Sequence, residues 1–554
     1  MGTVPFFEKR GLSPFLIAGA VLVSHAPLLT AGYVQDDHLV VEASRGAPLT
    51  GSYWEGVRGG DRSLWRPVTL GSYAIERSLA GGARPAVSHA INLALHAAVA
   101  CLLLAIAGAA GVPPTASFFA ALLFALTPAK SEAVANVVGR AEILAALFTL
   151  AAVRFALLGT RRGAWGAAAC VFLACGSKET GFVAVLLVGI AVLFASTSWR
   201  ARLGIVLPAI LAFEVAAIAR TFALEAWFPR QIVPAMDNPL VALSGAPHVA
   251  TALALVTRAA RVVLVPWGLS ADYSGPSIPV DMSLLALRPF LGGVLLAAVI
   301  VATAWALLRR RTAVALGGAI AVGAYLVTGN LLVPVGAILA ERFLYLPCAG
   351  LALLAAGGFE RLGRRGRWVP AVVALVYGAL MLGRSFDWKS DRTIFEATAA
   401  ANPSSPRAAL WLGTLAADAG DAATARRELT RAASLWPDFA APHLHLGLLD
   451  ARAGDHAAAA REFEIAARLE PTWGTPRLDL ALALHRAGDL TAAERAARHA
   501  TLRDPENAKA WAELGHLRYE RGAKREAVEP YRRAVALGRS DLAARLAECE
   551  TATP

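Results

Sequence analysis

Between residues 12 and 384, long apolar runs alternate with short polar loops, whereas residues 385–554 contain no such run. A helix needs about 20 apolar residues to cross a hydrocarbon core about 30 Å thick. The runs 12–30, 86–108, 112–128, 141–158, 164–177, 181–197, 202–222, 289–308, 312–330, 341–358 and 368–384 therefore predict about eleven spans. The stretch 249–267 is also apolar but carries Arg258 and Arg261 in its middle. A central Arg costs roughly 2.5–3.5 kcal/mol on insertion scales, so this segment is expected at the interface or only partly inserted. With it left out of the count, the basic loop clusters Lys9/Arg10, Arg154/Arg161/Arg162, Arg200/Arg202, Arg309/Arg310/Arg311 and Arg361/Arg364/Arg365/Arg367 fall on one side. The positive-inside rule then expects a cytoplasmic N-terminus and a C-terminal half on the outer, periplasmic or luminal, face. The first run, preceded by Lys9 and Arg10, imitates a secretory signal peptide, but the ten further spans keep the protein in the membrane either way.

The pattern changes after residue 384. Pro403, Pro437, Pro471 and Pro505 recur every 34 residues, as do Gly420, Gly454, Gly488 and Gly522. Gly413, Gly447 and Gly515 keep the same period with Ala481 in the third slot, and Ala425, Ala459, Ala493 and Ala527 mark the helix crossings. Such a period is that of tetratricopeptide helical hairpins, each of which buries its apolar face only by stacking on its neighbours. The expected fold class is thus all-α. A polytopic membrane domain (1–384) is followed by a linker (385–405), four tetratricopeptide repeats forming an α-solenoid (406–541) and a tail (542–554). The repeats are expected to bind an extended peptide or a protein and to carry no chemistry of their own.

Composition agrees with a membrane protein. Of 554 residues 56% are hydrophobic and 17% charged, with a mean hydropathy of +0.52. A soluble domain carries about 25% charged residues. The net charge of +12 is explained mostly by topology, so no nucleic-acid partner is expected. Lys accounts for only 6 of the 53 basic residues, and with the abundant Ala and Gly this points to a GC-rich bacterial genome and an inner-membrane location. The five Cys (Cys101, Cys170, Cys175, Cys348 and Cys549) have no zinc spacing and no readable disulfide framework.

Candidate chemistry sits in the loops assigned to the outer face. Asp36 and Asp37 follow the first run, and adjacent carboxylates at a bilayer surface can supply a base to a hydroxyl or ligands to a metal; as ordinary loop acids they need no function. His89, Asn92 and His96 share one face of the second span, where helix–helix hydrogen bonding explains them better than zinc. Glu132, Arg140 and Glu142 occupy the second outer loop, Lys178 and Glu179 the third, and Glu341 and Arg342 the fifth. Arg pairs with phosphate bidentately and Lys as a point charge, so these cations could hold a lipid-linked phosphate. Salt-bridge networks would explain each alone.

In order, Asp36-Asp37, Arg66-Pro67, the His89–His96 helix and Glu132-Ala-Val-Ala-Asn-Val-Val-Gly-Arg140-Ala-Glu142 resemble the TMTC family of transmembrane, tetratricopeptide-repeat O-mannosyltransferases. Lys178-Glu179-Thr-Gly, Asp237-Asn238-Pro239, the run Leu264 to Tyr273 and Gly336 to Pro347 continue the likeness across the chain, repeats included. The resemblance implies a GT-C-like glycosyltransferase moving a hexose, chiefly mannose, from a polyprenyl-phosphate-linked donor to a hydroxyl of a protein acceptor. It also implies that Asp36 or Asp37 acts as general base. Lys178, Arg342 and Arg140 would stabilise the donor phosphate, while Glu132, Glu142, His96, Arg66, Glu179 and Glu341 would orient sugar or acids. The mechanism requires no cofactor and no metal, although two adjacent carboxylates could bind a divalent ion. The partners expected are the lipid-linked donor, membrane lipids and a protein or peptide held by the repeats. Competing readings are transfer to an envelope glycan or lipid, and a non-catalytic membrane scaffold with partner-binding repeats.

Overall fold

The computed structural model describes residues 13–42, 64–195, 198–225, 233–359 and 368–551. The basic clusters Lys9/Arg10 and Arg361/Arg364/Arg365/Arg367, residues 43–63 of the 31–85 loop and the last three residues of the tail lie outside the described residues. Among those residues the elements are helical and no strand occurs. The chain divides into two compact units, Met1–Pro403 and Ser404–Pro554.

Every apolar run read from the sequence forms a helix in the first unit, but not all of these helices have the length of a span. Six helices are long and apolar enough to cross a membrane: Pro85–Ala109, Trp199–Leu224, Gly245–Leu264, Leu287–Leu308, Glu341–Phe359 and Val369–Asp387. A seventh is the bent pair Pro114–Leu126 and Pro128–Ala135, and Ser13–Ser24, Glu179–Ala195 and Thr312–Thr328 are shorter apolar helices. Gly245–Leu264 therefore has the length and hydropathy of a span, where the sequence suggested an interfacial segment. Its Arg258 lies 5.7 Å from the Tyr273 ring centre, an aromatic contact that tempers the cost of a central guanidinium. Arg140–Ala156 and Arg161–Cys175 have 17 and 15 residues and are not among the long apolar helices.

Local chemistry explains the breaks. Pro67, Pro85 and Pro114 each open a helix, at the position where a missing N–H is least costly. Pro128 cannot continue the helix ending at Leu126, and the chain bends there by 55°. That bend carries Lys130 and Glu132 into the interior, each about 1% exposed. Helices Thr312–Thr328 and Tyr345–Phe359 pack together so closely at Gly350 that a Cβ there would sit 2.4 Å from the Ala321 nitrogen. Small residues permit this approach in place of any hydrophobic drive between membrane helices.

Residues 385–405 form no irregular linker. The helix Val369–Asp387 runs into a short turn, and Ser390 caps a further helix, Asp391–Ala401, through a capping box with Thr393. The second unit holds eight helices paired as four hairpins: Pro406–Asp418 with Ala422–Leu435, Ala440–Arg452 with His456–Leu469, Gly474–Arg486 with Leu490–Arg503, and Ala508–Glu520 with Lys524–Ala536. Most of the expected tail is a ninth helix, Ala543–Thr551, whose Cys549 joins the core around Tyr531. A Cβ on Gly447 would lie 2.6 Å from the Phe463 ring, and Gly413 and Gly515 meet Leu429 and Tyr531 in the same way. Ala481 breaks the glycine pattern because the facing position is Ala497, in the same core cluster; two small residues replace a glycine and a large one.

Candidate active site

Asp36 and Asp37 are neighbours in sequence but face different environments. Asp37 is fully buried and accepts backbone N–H bonds from Val34 at 3.3 Å, Val137 at 3.1 Å and Val138 at 2.8 Å. Burial pushes its carboxyl up to about 7, against the pull of those three N–H groups and with a small push from the Asp36 charge. Asp37 thus fastens the 34–37 loop to the 137–138 turn. Asp36 is exposed.

Three acid–base pairs cluster about Arg342 and Lys178. Arg342 donates to Glu132 through both its backbone N–H, at 3.0 Å, and its guanidinium. Lys178 reaches Glu142 at 2.6 Å, and Thr180 donates to the other oxygen of Glu142 at 3.2 Å. Arg66 pairs with Glu179 at 2.8 Å. Phe343 joins two of the pairs, with Lys178 and Arg342 lying 5.7 and 5.4 Å from its ring centre. The carboxylates of Glu132, Asp36 and Glu142 are all within electrostatic reach of Arg342. Burial pushes the Lys178 ammonium below the usual lysine range; Glu142 opposes this, and the charges of Arg66 and Arg342 reinforce it.

Backbone close approach builds this floor. A Cβ on Gly139 would lie 2.3 Å from the Ala133 carbonyl oxygen, and one on Gly181 would lie 2.1 Å from that of Ala174. The glycines of Val-Val-Gly139-Arg and Lys-Glu-Thr-Gly181 therefore fold their turns tightly enough to bring Glu132, Glu142 and Lys178 together. Glu132 and Glu142 are almost fully buried, while the Arg342 side chain is 33% exposed and that of Arg66 21%. Glu132 and Glu142 are thus enclosed, while the guanidinium groups of Arg342 and Arg66 keep open sides.

Three of the residues singled out by sequence lie in other networks. Arg140 is fully enclosed: it pairs with Glu76 at 2.6 Å, donates to Asn92 at 2.8 Å and to the Ser88 carbonyl at 3.2 Å, and stacks 4.6 Å from the Tyr73 ring centre. Unlike Lys178 and Arg342, it has no open side. His96 is fully buried against the Tyr345 hydroxyl at 2.7 Å, the Ala125 carbonyl at 3.0 Å and Lys130 at 3.3 Å. Glu341 points away from its neighbour Arg342 and accepts from the Ser270 N–H at 2.7 Å and the Tyr273 hydroxyl at 3.0 Å, with Arg384 at 3.7 Å. Asn92 and His89 bond to the interior, Asn92 to the Val134 carbonyl and His89 to that of Gly32. Among the described residues no group of three or more His, Cys, Asp and Glu is arranged to hold a metal, and the Asp36–Asp37 pair turns only one carboxylate outward.

A multi-helix membrane unit with a half-open acid–base floor, followed by a tetratricopeptide solenoid, is the class of protein that these elements define. No family profile matches the chain. It is similar to protein O-mannosyl-transferase TMTC4 of Mus musculus, 27% identical over 424 residues that cover 64% of this chain and 56% of the relative. The Homo sapiens TMTC4 protein is 26% identical over 505 residues, covering 76% and 66%, and Homo sapiens TMTC3 is 25% identical over 454 residues, covering 72% and 48%. The chain thus spans about half to two thirds of the length of these curated relatives. The TMTC-type resemblance carried by the motif order is matched by their names. Among solved structures, MamA has a TM-score of 0.26 at 20% identity over 30% of this chain, and YrrB 0.25 at 15% over 35%.

Proposed function

We propose that the protein is an integral-membrane glycosyltransferase that moves a hexose, mannose by analogy with its relatives, from a polyprenyl-phosphate donor to a hydroxyl of a protein acceptor. The observation that carries this reading is one exposed carboxylate, Asp36, within electrostatic reach of Arg342, which with Lys178 is held by the buried acids Glu132 and Glu142. Asp36 takes the proton of the acceptor hydroxyl as its oxygen attacks the anomeric carbon. The bond from that carbon to the phosphate oxygen breaks, and the polyprenyl phosphate leaves with the electron pair. It is already a good leaving group, so it needs its charge stabilised rather than a proton. Arg342 and Lys178 supply that charge, and Glu132 and Glu142 fix their positions. Preorganised charge of this kind is the larger part of catalysis where charge develops in a water-poor site. Arg66 and Glu179 orient the sugar from the rim. Arg140, His96 and Glu341 hold the helices that carry these groups.

The repeats, in this reading, hold the acceptor, and the site faces the outer side of a bacterial inner membrane. Donor use is tested by incubating the purified protein with polyprenyl-phosphate mannose and periplasmic extract, with intact-mass readout. Mannose added to polypeptides supports the reading, and transfer only to glycan or lipid replaces the acceptor. Deleting 404–554 should keep donor binding and reduce transfer to protein; equal transfer by the truncated chain would remove the repeats from acceptor binding.

A further inference from the structure

The loop that carries Asp36 is held from two sides. Asp37 fastens it to residues 137–138, as described above. The other clamp comes from Asp391, at the start of the helix Asp391–Ala401. Its Oδ1 accepts the Gln35 backbone N–H at 2.8 Å and its Oδ2 lies 3.0 Å from His38 Nε2. Two residues earlier, the Lys389 carbonyl accepts the Gly32 N–H at 3.0 Å. The Asp391 carboxylate therefore grips the residue before Asp36 and the second residue after it.

Two further observations give this contact a purpose. Gln35 has a φ of +53°, a conformation that residues other than Gly, Asn and Asp seldom adopt and that persists only where the surroundings over-determine it. The start of the Asp391–Ala401 helix is already capped by Ser390 and Thr393, so the Asp391 side chain is not spent on its own helix. Its oxygens are turned instead to the loop.

We infer that Asp391 is a positioning residue that sets the exposed carboxylate of Asp36 by fixing Gln35 and His38 on either side of it. The inference rests on Asp36 being the base of the proposed transfer. It ties the geometry of the site to the segment that leads into the repeats. The helix that starts at Asp391 ends at Ala401, and the first repeat helix begins at Pro406, so that one helix and a short turn link the clamp to the repeats along the chain.

The test compares the full-length protein with its Asp391→Ala, Asp391→Asn and Asp36→Asn variants, all in detergent. Asp391→Ala is expected to lower kcat about tenfold or more, since small misplacements of a reacting group cost up to about 100-fold. KM for polyprenyl-phosphate mannose and the melting temperature stay as in wild type. Asp391→Asn keeps one acceptor oxygen for the Gln35 N–H and should recover part of the rate. Hydrogen exchange of the amides of 35–40 should speed up in Asp391→Ala and less in Asp391→Asn, with the 137–138 turn unchanged. Unchanged exchange over 35–40 overturns the inference, as does a kcat equal to wild type, or kcat, KM and melting temperature falling together. If Asp36→Asn transfers like wild type, the catalytic reading fails instead, and the exchange arm still decides whether Asp391 sets the loop. Should Asp391→Ala fail to fold, Asp391→Asn and His38→Ala carry the same measurements.

Discussion

Arg342 and Arg140 both pair with a buried glutamate in the membrane unit, yet the regions around them are built to opposite ends. Around Arg140, Glu76, Asn92, the Ser88 carbonyl and the Tyr73 ring enclose the guanidinium from all sides. Around Arg342, Glu132 binds one side of the guanidinium while about a third of the side chain remains exposed, with the Asp36 charge within electrostatic reach. A closed cluster places all its electrostatics in the fold. An open one, with its acids buried and its cations half-open, retains charge for a ligand. The difference separates two arginines that the motifs present as equals.

Substitutions sharpen the contrast, beginning with the largest effect. Asp36→Asn should cut sugar transfer by about 10²–10⁴-fold, the usual range for loss of a positioned base, with the melting temperature unchanged because Asp36 is exposed. Arg140→Met should leave Glu76 buried without its cation and destabilise the membrane unit by about 3–5 kcal/mol, read as loss of folded protein in detergent. Whatever remains folded should keep its specific activity. Arg342→Gln should reduce kcat by about 10²–10³-fold, comparable to removing one charge-stabilising donor, while folding well enough to purify. If Arg140→Met were stable and inactive, or Arg342→Gln unfolded and active, the assignment of open and closed regions would be reversed.

The smallest effect lies in the repeats. His485 bonds to Glu513 at 2.6 Å and to Glu520 at 2.8 Å. Burial works against its cation, but the two carboxylates outweigh that and raise its pKa above the usual histidine value. A raised folded-state value contributes stability that is fully present below the unfolded value of about 6.5 and is lost as pH rises through the folded one. The melting-temperature gap between wild type and His485→Gln should therefore be larger at pH 6 than at pH 8.5, by calorimetry on the whole chain. A gap independent of pH would mean that the pair contributes through packing alone.

Much of this architecture was legible from residue order because it follows from solvent and periodicity. Apolar runs marked the helices, and a 34-residue period marked the repeats. Lengths were less legible: the apolar run that ends at Pro128 breaks there into a bent pair of helices, and the helices 140–156 and 161–175 are shorter than a span. The span-like character of 245–264 was obscured by Arg258, whose aromatic neighbour Tyr273 lies beyond the end of that helix. In the site, Lys178 with Glu142 and Arg342 with Glu132 are joined by folding across 36 and 210 residues, and no local spacing announces such pairs. The adjacent Asp36 and Asp37 were indistinguishable in sequence. The backbone N–H groups that claim Asp37 come mainly from residues 137 and 138, a hundred positions away. His38 and Asp391, 353 residues apart, carry no motif at all.

The most direct measurement of the central claim is mannose transfer from a polyprenyl-phosphate donor by purified wild type, Asp36→Asn and Asp37→Asn, with melting temperatures recorded on the same samples. The account predicts that Asp36→Asn melts like wild type and transfers almost nothing. It predicts that Asp37→Asn melts lower, because an amide nitrogen would face backbone N–H groups, and that its folded fraction still transfers. Transfer at the wild-type rate by Asp36→Asn, or a stable and inactive Asp37→Asn, would contradict it.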